Sequence, residues 1–145
     1  TAVGAVTRLR DMGVEPFLLA SCLRGAMAQR LVRRLCPHCR REVPADPVRV
    51  RDLGEPLAAS VAGKHIWEPV GCDVCLEGYS GRLGVFELLQ INGPLRDVIR
   101  RGSAGLAELR SLAIEAGMRP LVGDAVDRML AGETSLEEAL NVAAA

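Results

Sequence analysis

The sequence predicts an α/β chain that is mostly helical, with a cysteine-stapled insert in its middle and a bundle of helices at its C-terminal end. Three observations carry this. Apolar residues recur at helical spacing near the N-terminal end and again beyond Pro94. Between these stretches stand two Cys-x-x-Cys turns, Cys36-Pro37-His38-Cys39 and Cys72-Asp73-Val74-Cys75, separated by thirty-two residues. After the second turn, Gly78, Gly81 and Gly84 mark tight backbone, and Val85 to Ile91 reads as a strand.

Taken in order, Val3, Val6, Leu9 and Met12 form a helical stripe, and Gly13 is a suitable residue to end it. Pro16 opens a second helix, since its missing N–H costs nothing in the first turn. That helix is expected to carry Phe17, Leu18, Cys22 and Ala26 along one side, with Cys22 as a small buried hydrophobe. Arg30 to Leu35 could end this helix or form a strand leading to Cys36; the strand is favoured. Residues 43 to 66 hold three prolines and scattered apolar residues, Val48, Val50, Leu53, Leu57 and Val61. They suit one or two short helices and hardly an independent core.

The rest is helical. Pro94 opens a helix with Leu95, Val98 and Ile99, and Gly102 ends it. Ser103 is expected to cap the next, with Leu106, Leu109, Leu112 and Ala116 inward and Gly117 closing it. Pro120 begins a third, bearing Leu121, Ala125, Val126, Met129 and Leu130 and ended by Gly132. Thr134 and Glu137 make a capping box for the last, with Leu136, Ala139 and Leu140 buried.

The cysteines carry the chemistry. Each Cys-x-x-Cys places two thiolates on one tight turn, and two such turns can close a tetrahedron around Zn²⁺. Closing a loop of this length costs about 3 kcal/mol of chain entropy, whereas a structural zinc binds thiolates with roughly 10–16 kcal/mol at neutral pH. Four sulfur ligands leave no open position for water, so the expected role of Cys36, Cys39, Cys72 and Cys75 is structural. The alternatives are a disulfide within each pair, a thioredoxin-like redox centre, and His38 replacing one sulfur. A redox pair requires a long helix directly after it. Here Pro44 and Pro47 follow the first pair and glycines follow the second.

Composition excludes other classes. Eighteen basic and eighteen acidic residues cancel, so no overall field recruits nucleic acid or an anionic membrane. Only Phe17, Trp67, Tyr79 and Phe86 are aromatic, too few for a base-stacking platform. Arg24, Arg30, Arg33, Arg34, Arg40 and Arg41 form a local basic cluster, either a solvated face or a contact with a neighbouring subunit, an acidic partner or a phosphate. Gly78-x-x-Gly81-x-x-Gly84 precedes a strand where a phosphate loop precedes a helix. Lys64, the sole lysine, is followed by His65 where a Walker A motif needs Ser or Thr. No leader or membrane span is evident, and reduced thiols suit the cytosol. The first residue is not Met, and a fragment of a longer chain is expected.

Four blocks together resemble the C-terminal part of the type II secretion and type IV pilus assembly ATPases, the GspE/PilB-like traffic ATPases. They are Ala5 to Phe17 (AVTRLRDMGVEPF), Ala28 to Cys39 (AQRLVRRLCPHC), Gly71 to Cys75 with Gly78 to Leu89 (GCDVC, GYSGRLGVFELL), and Gly132 to Ala139 (GETSLEEA). The resemblance implies a parent with a RecA-like P-loop core, binding ATP and Mg²⁺. It further implies a cytoplasmic homo-hexamer at the inner face of the cell membrane, coupled to an inner-membrane platform and a cytoplasmic adaptor to build a pilus or pseudopilus. The family's tetracysteine metal site maps onto Cys36, Cys39, Cys72 and Cys75. Its Walker A, aspartate-rich, Walker B and histidine boxes precede the segment matching Thr1, so this chain alone is expected to be catalytically inactive. The expected divisions are residues 1-35, a piece of the ATPase core; 36-83, the zinc-binding subdomain; and 84-145, a strand with the helical bundle. The rival readings are a stand-alone zinc-binding adaptor and a nucleic-acid-binding zinc module.

Overall fold

The structure, a computed structural model, describes residues 1–145. Its elements run α1 (Ala2–Asp11), α2 (Pro16–Cys22), β1 (Gly25–Leu35), β2 (Arg41–Pro44), α3 (Pro47–Val50), a 3-10 turn (Arg51–Leu53), α4 (Leu57–Val61), β3 (His65–Glu68), β4 (Tyr79–Gln90), α5 (Gly93–Arg101), α6 (Leu106–Glu115), α7 (Leu121–Leu130) and α8 (Leu136–Ala144). There are two two-stranded sheets, β1 with β4 and β2 with β3. The second is antiparallel, with Arg41 opposite Glu68 and Val43 opposite Ile66.

Contacts divide the chain into two compact units. Unit 1 is residues 1–28 and 86–120; unit 2 is residues 29–85 and 121–145. The contiguous divisions 1-35, 36-83 and 84-145 therefore cut across both. Nor do the last four helices form one bundle: α5 and α6 belong to unit 1, α7 and α8 to unit 2.

Unit 1 is built on α1, α2, α5 and α6. Its core gathers Val3, Val6, Leu19, Leu89, Leu95, Ile99, Leu109 and Met118. Thr1 caps α1 through its hydroxyl, which accepts from the Gly4 N–H at 3.0 Å. The buried Glu87 carboxylate accepts the Ala2 N–H at 2.7 Å, placing negative charge at the positive end of the helix. Asn92 caps α5 by accepting from the Leu95 N–H, and Gly102, at φ +71°, ends it.

Three local expectations fail in this unit. The second helix stops at Cys22 because Leu23 turns extended, so Ala26 lies on β1 instead. Its buried residues are Leu19 and Ala20, while Phe17 and Leu18 are exposed and Cys22 is an exposed thiol, not a buried hydrophobe. Ser103 does not cap α6; Gly105 occupies the cap and Ala104 is buried. Leu106 and Ala116 face out, and the inward residues are Leu109, Leu112 and Ala113.

Unit 2 holds the insert. Arg30 to Leu35 is a strand, as favoured, within the longer β1, and β4 begins at Tyr79, well before Val85. Val50, Leu53, Ala58, Val61 and Ile66 from the insert share one core with Val126, Met129, Leu136, Ala139 and Val142 from α7 and α8. The 43–66 segment is thus not reliant on a metal alone: its short helices bury their apolar residues against α7 and α8. The expected capping box is off by one residue. Ser135 caps α8, accepting from the Glu138 N–H at 3.3 Å. Thr134 is turned away because its hydroxyl donates to the Arg33 carbonyl at 2.8 Å. No helix is long and apolar enough to cross a membrane.

Candidate metal centre

The first turn, Cys36 to Cys39, follows β1 directly. Cys36 is buried, and its N–H donates to the Gly78 carbonyl at 2.9 Å. The Arg40 N–H returns to the Cys36 carbonyl at 3.1 Å, closing the turn ahead of β2. The second turn, Cys72 to Cys75, runs into a tight reversal in which Leu76 and Tyr79 exchange backbone hydrogen bonds at 3.0 and 2.9 Å. The two central residues of that reversal, Glu77 and Gly78, have φ of +52° and +88°, the hand that suits a β-hairpin. Gly78 also has no room for a side chain, since a Cβ there would stand 2.8 Å from Pro69 Cα and from the Val70 nitrogen. Neither pair opens a helix, which removes the thioredoxin-like arrangement.

These turns bring all four sulfurs within 4.8 Å of one another. Cys36 Sγ and Cys72 Sγ are 3.8 Å apart, Cys39 and Cys75 are 3.8 Å apart, and Cys72 and Cys75 are 3.6 Å apart. A regular tetrahedron with zinc–sulfur bonds of about 2.3 Å has edges of about 3.8 Å. The donor set therefore fits a tetrahedral thiophilic ion. Backbone N–H groups already point at the sulfurs: Gly71 donates to Cys39 Sγ at 3.3 Å and Cys72 to Cys75 Sγ at 3.2 Å. Such donors stabilise thiolate over thiol. His38 is exposed and stands outside the four-sulfur cluster.

As free thiols the sulfurs do not titrate alike. Burial pushes the Cys75 thiol up, but hydrogen bonds from the Cys72 backbone and side chain and from the Gly78 backbone outweigh it and bring Cys75 down to about 7. The Val74 backbone N–H pulls Cys72 down, yet desolvation and hydrogen bonding with the Cys75, Cys36 and Cys39 thiols prevail and push it up to about 12. Cys75 therefore ionises more readily than Cys72.

The basic cluster does not form one free patch. Arg33 donates to Glu138 through its backbone N–H at 2.7 Å and its Nε at 2.9 Å, and its guanidinium lies 4.1 Å from the centre of the Tyr79 ring. Arg40 stacks over Trp67 at 4.4 Å and donates to the Gly132 carbonyl. Arg41 pairs with Glu68 across the β2–β3 sheet. Arg24, Arg30 and Arg34 are exposed. Sequence reasoning missed Glu138, Tyr79, Trp67 and Gly132 as partners, because each lies 27 residues or more from its arginine.

The family described as Type II/IV secretion system protein matches residues 1–141. The chain belongs to that family. It is 45% identical over 143 residues to Type II secretion system protein E of Aeromonas hydrophila, covering 98% of this chain and 28% of that protein. It is 46% identical over 142 residues to the type II secretion system protein HxcR of Pseudomonas aeruginosa, covering 97% of this chain and 26% of the relative. Against the type IV pilus assembly ATPase PilB of Thermus thermophilus the figures are 41% over 140 residues, 96% and 16%. The chain thus spans less than a third of the length of each of these family members, whose names place them in secretion and pilus machines.

Proposed function

We propose that this chain is the metal-bearing C-terminal part of a secretion or pilus assembly ATPase, with one structural Zn²⁺ held by Cys36, Cys39, Cys72 and Cys75. The observation that carries the metal reading is the four-sulfur cluster, three of whose six edges, at 3.6 to 3.8 Å, match a zinc–thiolate tetrahedron. The residues' own work is to orient four thiolates, aim backbone N–H groups at two of them, and fasten the β1 end to the β4 start. When bound, zinc supplies cross-linking strength and no open coordination position.

The parent reading rests on the relatives, one of which is named as an ATPase. On that reading the complete protein contains a RecA-like core that hydrolyses ATP with Mg²⁺. It works as a cytoplasmic homo-hexamer at the inner face of the cell membrane, against a membrane platform and an adaptor. Unit 1 would complete that core, and unit 2, which holds the cysteine turns, would pass motion to a neighbour. The engagement of Arg33, Arg40 and Arg41 within unit 2 weighs against a nucleic-acid-binding module.

Native mass spectrometry of the purified chain tests the metal, with one zinc per chain expected; a chain that takes up none sinks that reading. Phosphate release tests the division of labour. The chain alone is expected to show no ATP turnover, whereas a chain extended to the length of its relatives hydrolyses ATP; turnover by the isolated chain would refute the assignment.

A further inference from the structure

The linker between α7 and α8, residues 131–135, is gripped from both sides of the first cysteine turn. Just before that turn, the Leu35 N–H donates to the Glu133 carbonyl at 2.9 Å, and the Arg33 carbonyl accepts from the Thr134 hydroxyl at 2.8 Å. Just after it, Arg40 donates to the Gly132 carbonyl while lying over the Trp67 ring. The second turn is tied to the same place: Tyr79, at its exit, shares a 2.8 Å hydrogen bond between its hydroxyl and that of Ser135. Trp67 itself stands five residues before Cys72.

Gly132 has no space for any side chain. A Cβ there would meet Arg40 Nη1 at 2.7 Å, Trp67 Cδ1 at 2.8 Å and Trp67 Nε1 at 2.9 Å. Its φ of +77° is a second reason for glycine. Gly63, in the same unit, has a comparable φ of +73° with nothing within 4 Å of its Cβ position. The two glycines separate backbone strain from occlusion.

From this geometry we propose that the Gly132–Ser135 linker is the seat on which the metal centre is assembled. Gly132, Arg40 and Trp67 are positioning residues, and metal affinity and the packing of α7 and α8 are one coupled equilibrium. This rests on the zinc reading above. Residues that hold a metal's ligands in place from outside the coordination sphere typically change affinity ~10–100-fold when altered. Coupling is reciprocal, so whatever loosens the linker weakens the metal, and removing the metal loosens the linker.

The test is the zinc affinity of the full chain, by competition with a chromophoric chelator, for the wild type, Gly132→Val and Gly63→Val, with folding at saturating zinc checked by circular dichroism. Gly132→Val is expected to bind zinc ~10-fold or more weakly, with Gly63→Val, equally strained but unobstructed, unchanged. Trp67, the sole tryptophan, is expected to change its emission when the wild type is stripped of zinc. Should Gly132→Val not fold, Arg40→Gln, which removes both the stack and the bond to the linker, is expected to move affinity in the same direction. A folded Gly132→Val or Arg40→Gln that binds zinc as the wild type does overturns the proposal and leaves the zinc reading standing. A wild type that binds no zinc overturns both.

Discussion

Units 1 and 2 bury apolar clusters of equal number, fourteen residues each, on very different scaffolding. Unit 1 places ten of its fourteen on four helices of seven to ten residues. Unit 2 draws on pieces of three to five residues, α3, the 3-10 turn, α4 and β3, together with α7 and α8. A helix of one turn fixes several backbone dihedrals for one or two hydrogen bonds and does not persist without tertiary support. The same apolar count therefore needs extra fastening in unit 2, and the polar ties gather there: the four sulfurs, the Arg33–Glu138 pair, the Tyr79–Ser135 bond and the Arg40–Trp67 stack.

The contrast breaks most visibly at the metal. Cys36→Ser is expected to abolish zinc binding and to destabilise unit 2 by about 5 kcal/mol or more, a fraction of what structural zinc binding supplies. Segment-resolved hydrogen exchange should show residues 36–83, α7 and α8 losing protection while α1, α2, α5 and α6 keep theirs. Uniform loss in both units would show that the fastening is shared by the whole chain. Acidification is expected to reach the same end without a mutation. The thiolates must be unprotonated to hold zinc, so protons compete with the metal as pH falls, and Cys75, down at about 7, resists reprotonation longer than Cys72. Zinc content followed by native mass should thus fall as pH drops below neutral, and zinc retained unchanged in acid would contradict thiolate ligation.

In unit 1 the sensitive site is apolar. Leu95, 1% exposed, truncated to Ala should cost about 2–5 kcal/mol in denaturant unfolding while zinc affinity stays as it was. A fall in zinc affinity would mean the two cores are coupled. Within unit 2, Glu138→Gln should cost about 1–3 kcal/mol, because the buried carboxylate accepts both the backbone and the side chain of Arg33. The smallest effect belongs to Arg41→Ala, whose partner Glu68 sits in an exposed pair; less than about 1 kcal/mol is expected from thermal melts.

Much of the site was legible because its signal is local. Four cysteines in two short turns announce that they will cluster, and Pro16, Pro94, Gly102 and Gly132 mark helix ends through constraints carried by single residues. What escaped depends on residues distant in sequence. Thr134 and Glu137 read as a capping box only while Arg33 is ignored; its carbonyl draws the Thr134 hydroxyl away and its guanidinium takes Glu138, so Ser135 becomes the cap. The second helix is shorter than its apolar spacing predicts because nothing near Leu23 announces the strand pairing, in which the Ile91 N–H donates to the Arg24 carbonyl. The 43–66 insert looks coreless in sequence because six of the fourteen residues of its core lie in α7 and α8, more than fifty residues further on.

One exposed side chain has a practical consequence. Cys22 carries the single thiol remote from the cluster, on the open surface of α2. A maleimide dye added to zinc-loaded protein should couple there alone, giving a stoichiometric optical tag on unit 1 with the ligands shielded. Left in air without reductant, that same sulfur would bridge two molecules and imitate a dimer on a sizing column.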